Sequence, residues 1–173
     1  MKLVEIKDVR TGQIWDNGNN FLIITGFSEY EPEMVHSVIY VPEDKPITLK
    51  NGKKVTGLMF SSTSRNLLEG LKLIGKLGIT HRIEDGKLVE IPRTAEFQID
   101  DVCYTLSFYN TASPHFDIGV DFEDIIFVID NMDTYENGTL LLFDARGNEY
   151  RPDDVEKIGI LGVTHEFVND REA

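Results

Sequence analysis

A single cysteine, Cys103, and the absence of any apolar run longer than one strand set the first limits on this chain of 173 residues. One cysteine forms no internal disulfide and no thiolate zinc cluster, so the expected setting is a reducing cytoplasm with Cys103 as a small buried hydrophobe. The longest apolar stretches, 21–24 and 125–129, fall far short of the roughly 18 residues that cross a bilayer as a helix. The opening residues Met1-Lys2-Leu3-Val4-Glu5-Ile6-Lys7-Asp8 place charges where an export signal needs an apolar core, so none is expected.

Basic side chains are missing from one region altogether. Residues 1–90 hold 12 Lys and Arg against 12 Asp and Glu, whereas residues 91–173 hold 5 against 18 and so carry the whole net charge of −13. Between Arg93 and Arg146 there are 11 carboxylates and no Lys or Arg. Such a field repels nucleic acid and anionic membrane and attracts cationic partners. Asp117, Asp121, Glu123, Asp124, Asp130, Asp133 and Glu136 are the candidates for a docking face.

The most specific pattern is an internal repeat. Ile74-Gly75-Lys76-Leu77-Gly78-Ile79-Thr80-His81 recurs as Ile158-Gly159-Ile160-Leu161-Gly162-Val163-Thr164-His165, at an offset of 84 with six of eight positions identical. Thr56-Gly57-Leu58-Met59-Phe60 aligns with Thr139-Leu140-Leu141-Leu142-Phe143, and Asn51-Gly52 with Asn137-Gly138, in the same order. Two diverged units, 1–90 and 91–173, are therefore expected.

Each unit is expected to open with a hairpin. In the first, 13–15 and 21–24 flank the turn 16–20; in the second, 97–99 and 102–108 flank Asp100-Asp101. A third strand follows at 38–41 or 125–129, and an Asn-Gly turn introduces a fourth ending at Phe60 or Phe143. Leu67, Leu68, Leu71 and Ile74 lie at helical spacing behind a Ser/Thr cap, and Pro152, Asp153 and Asp154 suit a helical first turn. Each helix is expected to end at Gly-x-Leu-Gly, with a left-handed glycine cap. The expected fold is α+β: two tandem repeats, each a small bent antiparallel sheet of SH3-like or half-barrel form with one helix, related by a pseudo-twofold axis.

Two binding chemistries follow. The acidic second unit suits docking on a basic partner such as a nucleic-acid-acting protein, the role of many small acidic accessory or inhibitor proteins of phages and mobile elements. Alternatively Gly78, Thr80, His81, Gly162, Thr164 and His165 bind a small, nucleotide-like anion across the pseudo-dyad; local turn structure explains the same residues equally well. Catalytic patterns are thin, so a non-enzymatic protein without cofactor or metal is expected ahead of a third reading, a hydrolase whose site assembles in space, with a homodimer as a further option. Gly70 to Lys76 spells seven positions of a phosphate-binding loop, but Leu77 stands where a magnesium-binding hydroxyl belongs. Met132 interrupts the oxygen ligands of a calcium loop at 130–135.

Overall fold

The computed structural model describes residues 1–93, 95–105 and 126–169. The chain forms two compact units, one of residues Lys7–Pro92 and one that joins Met1–Ile6 to Arg93–Ala173. The opening strand β1 (Lys2–Glu5) thus belongs to the later unit.

The unit 7–92 contains β2 (Gln13–Asp16), β3 (Phe21–Phe27), β4 (Met34–Val41), β5 (Ile47–Thr48), β6 (Lys54–Val55) and β7 (Gly57–Ser64). A single helical turn α1 (Arg65–Leu68) leads into β8 (Lys72–Lys76), β9 (His81–Glu84) and β10 (Lys87–Glu90). Five strands form one sheet in the order β7-β4-β3-β2-β8, while β5–β6 and β9–β10 are separate two-stranded pairs. The other unit carries β11 (Asp101–Thr105), β12 (Ile126–Val128), β13 (Asn131–Thr134), β14 (Leu140–Phe143), β15 (Glu149–Tyr150), β16 (Val155–Ile160) and β17 (His165–Val168). These make the sheets β12-β11-β16, β13-β14-β15 and β1-β17.

The α+β expectation is corrected: among the described residues no helix serves each repeat. Helix is confined to α1 and to a 3-10 turn at Pro152–Asp154. The stretch from Leu71 to Ile74 is not a second helical turn, because β2 offers a free edge and β8 takes it, pairing Trp15 with Leu73 and Ile14 with Gly75. A helix here would hold two interior glycines, Gly70 and Gly75, at about 1 kcal/mol each; ladder bonds along β2 win. The same holds for β16, whose Val155 and Gly159 face inward while Glu156 and Ile158 are exposed, a strand alternation. The one turn of α1 persists because it drives Leu68 into the core of Leu22, Ile24 and Val35.

The strand correspondence also moves by one element. Phe97 to Ile99 is not a strand, and β11 matches β2: each pairs with the Gly-containing strand through a bulge, at Ile14/Trp15 and at Val102/Cys103. β12 is then the counterpart of β3, not of β4. The second core gathers Phe97, Cys103, Phe127, Ile129, Leu142, Tyr150 and Val155, with the Phe127 and Tyr150 rings stacked at 3.7 Å. No helix among the described residues is long and apolar enough to cross a membrane.

The closing strands reveal a fourth repeated patch. Lys2-Leu3-Val4-Glu5-Ile6 and Lys87-Leu88-Val89-Glu90-Ile91 are identical. β10 pairs with β9 across the Asp85-Gly86 turn, and β1 makes the same pairing with β17, setting Glu90 opposite His81 and Glu5 opposite His165. The bonds from Ile91 N to Thr80 O and from Ile6 N to Thr164 O, both 2.8 Å, repeat the match. One unit therefore closes with the strand that follows it, and the other with the strand at the start of the chain.

Deleting residues 1–6 should consequently damage the unit 93–173 and spare 7–92. Leu3 and Val4 are half-buried and Ile6 is buried, so the expected loss is about 3–6 kcal/mol. Hydrogen exchange should rise at β17 and β16, with β9 and β10 unchanged; equal deprotection of both units would contradict this closure.

Candidate functional site

The duplicated Gly-x-Leu-Gly-x-Thr-His segment is a strand end followed by a tight turn, not the helix cap expected from its glycines. Gly75 lies in β8 directly beneath the returning Thr80-His81 pair. A Cβ on Gly75 would overlap Thr80 Oγ1 and come within 2.8 Å of His81 Nδ1. Gly159 stands in the same relation to Thr164 Oγ1 and His165 Nδ1, the latter at 2.7 Å. Gly78 and Gly162 turn the chain with φ of +86° and +84°, in the left-handed region that a side chain disfavours.

The threonine hydroxyl locks the turn. Lys76 N donates to Thr80 Oγ1 at 2.8 Å, and Thr80 Oγ1 lies 2.7 Å from His81 Nδ1. In the second copy Ile160 N donates to Thr164 Oγ1 at 2.9 Å, and His165 Nδ1 lies at 2.8 Å. Gly78 N and Gly162 N donate to the carbonyls of His81 and His165. A neutral imidazole with its proton on Nε2 accepts the hydroxyl proton at Nδ1 and turns its N–H toward Glu90, whose Oε1 is 4.0 Å from His81 Nε2. Burial lowers both imidazole pKa values, opposed by Glu90 at His81 and by Glu5 at His165. Each Thr-His pair is complete within its own unit. Its hydroxyl and Nδ1 are engaged in local structure, which accounts for all six residues of the motif as a backbone clasp.

Three of the seven acidic candidates lie among the described residues. Asp117, Asp121, Glu123 and Asp124 lie outside the described residues. Asp130, Asp133 and Glu136 are exposed, just before β13, on it and in the turn after it. Among the described residues none of these three forms an ion pair with Lys or Arg; Asp133 Oδ1 accepts only a local bond from Thr134 N at 2.8 Å.

Asp101 is different, and its role was not evident from its place in the acidic run. It is buried, receives Arg93 Nη1 and Nη2 at 3.1 and 2.7 Å and Gln98 N at 2.9 Å, and has Lys157 Nζ at 3.7 Å. The corresponding residue of the other unit is Gln13, also buried, which accepts from Arg10 N and donates to Asp8 O. Asp101 is therefore a structural charge; the presence of Arg93 eight residues before it was the available signal.

No grouping of three or more His, Cys, Asp or Glu side chains suited to a metal ion occurs among the described residues. His36 is exposed on β4, while His115 lies outside the described residues. The Gly70 to Lys76 segment runs from the end of α1 into β8, without the strand-to-helix geometry of a phosphate loop.

Gly75→Ala and Gly159→Ala should each cost about 1–3 kcal/mol by overpacking. The cost of Gly75→Ala should shrink in a Thr80→Ala background, since the overlapping hydroxyl is gone; additive losses would argue against the clasp. The lowered imidazole pKa values set the sign of a pH dependence. The unfolded chain takes up these protons first, so the contribution is complete above the ordinary value of about 6.5 and declines as pH falls below it. The double variant His81→Asn, His165→Asn should flatten the melting temperature between about pH 7 and pH 5 relative to the parent.

No protein-family model, curated protein or solved structure matches this chain, and its function is inferred from its own residues.

Proposed function

We propose that the protein is a non-enzymatic binding protein, acting as an inhibitor, whose acidic unit docks on the basic surface of a nucleic-acid-acting protein by charge mimicry. The observation that carries this reading is the exposure of Asp130, Asp133 and Glu136 without a basic partner among the described residues, while the buried Asp101 is fully answered by Arg93 and Lys157. Within one unit a carboxylate buried in the fold is neutralised, whereas Asp130, Asp133 and Glu136 face solvent. Exposed Glu149, which accepts from the Tyr135 hydroxyl at 3.1 Å, lies on β15, next to the β14 strand that pairs with β13. Self-repulsion of this kind disfavours the folded unit, and a cationic partner relieves it.

The proposed compartment is the reducing cytoplasm. Cys103 is fully buried, and burial pushes its thiol up to about 12, so it neither ionises nor offers itself for pairing.

The immobilised full chain should retain a purified basic nucleic-acid-binding protein at low salt and release it as salt is raised. Reversing Asp130, Asp133 and Glu136 to Lys should abolish retention without lowering the melting temperature, because all three side chains are exposed and their mutual repulsion is relieved. Retention that ignores the reversals, or salt, would overturn the proposal.

A further inference from the structure

β7 ends the five-stranded sheet, and no strand among the described residues pairs with its outer edge. Natural proteins blunt such edges with charge, proline, bulges or short length. β7 uses none of these. Its eight residues, Gly57-Leu58-Met59-Phe60-Ser61-Ser62-Thr63-Ser64, are uncharged, and they pair with β4 in unbroken register from Met34↔Ser64 to Val41↔Gly57. Phe60 is 95% exposed at the middle of the strand, and Leu58 shares its face.

The two ends of this edge carry opposite charge. The β5–β6 hairpin that feeds its start presents exposed Lys50, Lys53 and Lys54. Beside its finish, the loop before β4 presents exposed Glu29, Glu31 and Glu33, whose three charges outnumber that of Arg65, stacked over the Phe27 ring; Arg65 N donates to Glu33 O at 2.8 Å. None of these six side chains forms an ion pair among the described residues. The unit itself is neutral, with 11 basic and 11 acidic side chains in residues 7–92.

We propose that β7 is the seam of a homodimer, in which two copies pair edge to edge and antiparallel about a twofold axis near Phe60. Antiparallel pairing sets the start of one strand against the finish of the other. The lysines of each copy then meet the glutamates of its partner at both ends, while parallel pairing would set like against like. Centred on Phe60, the register stacks the two phenylalanines and joins two five-stranded sheets into one of ten. A peptide of one charge would satisfy one end of this edge and be repelled at the other. A second copy of the chain satisfies both.

The full chain, followed by sedimentation and light scattering across the micromolar range, is expected to dimerise with an affinity that falls as salt rises. Phe60→Lys should raise the dissociation constant at least about tenfold by setting two cations across the axis. The triple variants Lys50/Lys53/Lys54→Glu and Glu29/Glu31/Glu33→Lys should each be monomeric, since both ends then repel. Mixed one to one, they should form a heterodimer, because each now complements the other at both ends. These changes lie at exposed positions, and circular dichroism will show whether each variant keeps the parent fold. A parent chain that stays monomeric would overturn the proposal. So would a dimer indifferent to Phe60→Lys, or charge variants that fail to pair on mixing.

Discussion

The contact on which both units depend is the seat of a threonine hydroxyl on a glycine backbone. Because Gly75 and Gly159 lack a Cβ, Thr80 and Thr164 approach the strand closely enough to bind the amides of Lys76 and Ile160. That bond fixes the angle at which the chain leaves β8 and β16, and hence where β9 and β17 present an edge for a closing strand. The histidine that follows completes the clasp through Nδ1, and burial keeps it neutral. Glycine, threonine and histidine stand in mutual contact in both copies.

Closure of the second unit by β1 has a topological consequence. β1 pairs with the segment around residue 165, far along the sequence. Loop-closure entropy grows only logarithmically, about 0.6 kcal/mol per doubling of length, so this distance costs little stability. It costs folding speed instead, since such a non-local pairing forms late. The first unit closes across two residues, Asp85 and Gly86, and carries no such delay.

Charge was divided along the same lines. The equivalent positions Gln13 and Asp101 are both buried and both bonded, but the carboxylate needs Arg93 and Lys157 where the amide uses backbone groups alone. The acidic unit thus spends two of its few cations on one internal carboxylate, which leaves its surface more negative than composition alone suggests. In the neutral unit Lys50, Lys53 and Lys54 precede β7 while Glu29, Glu31 and Glu33 lie in the loop beside its finish, so a unit with equal numbers of each sign still has unlike charge clusters.

Duplication, strand-rich character and the skewed distribution of charge were determined by the sequence itself, because two octapeptides alike at six of eight positions, alternating apolar residues and counts of carboxylates need no third dimension. Helix against strand at Leu71 to Ile74 was not. Its apolar spacing suits both, and only the free edge of β2 decided the outcome. The glycines of the motif announced a turn, but their reason, a hydroxyl lodged where a Cβ would stand, exists only once the strand and the returning chain are packed together. The identity of Lys2 to Ile6 with Lys87 to Ile91 was present in the sequence, yet its meaning depended on knowing that β1 and β10 fill equivalent edges. The same limit applies to Asp101 and Asp133: both are carboxylates of one acidic run, and burial beside Arg93 makes the first structural while the second stays exposed.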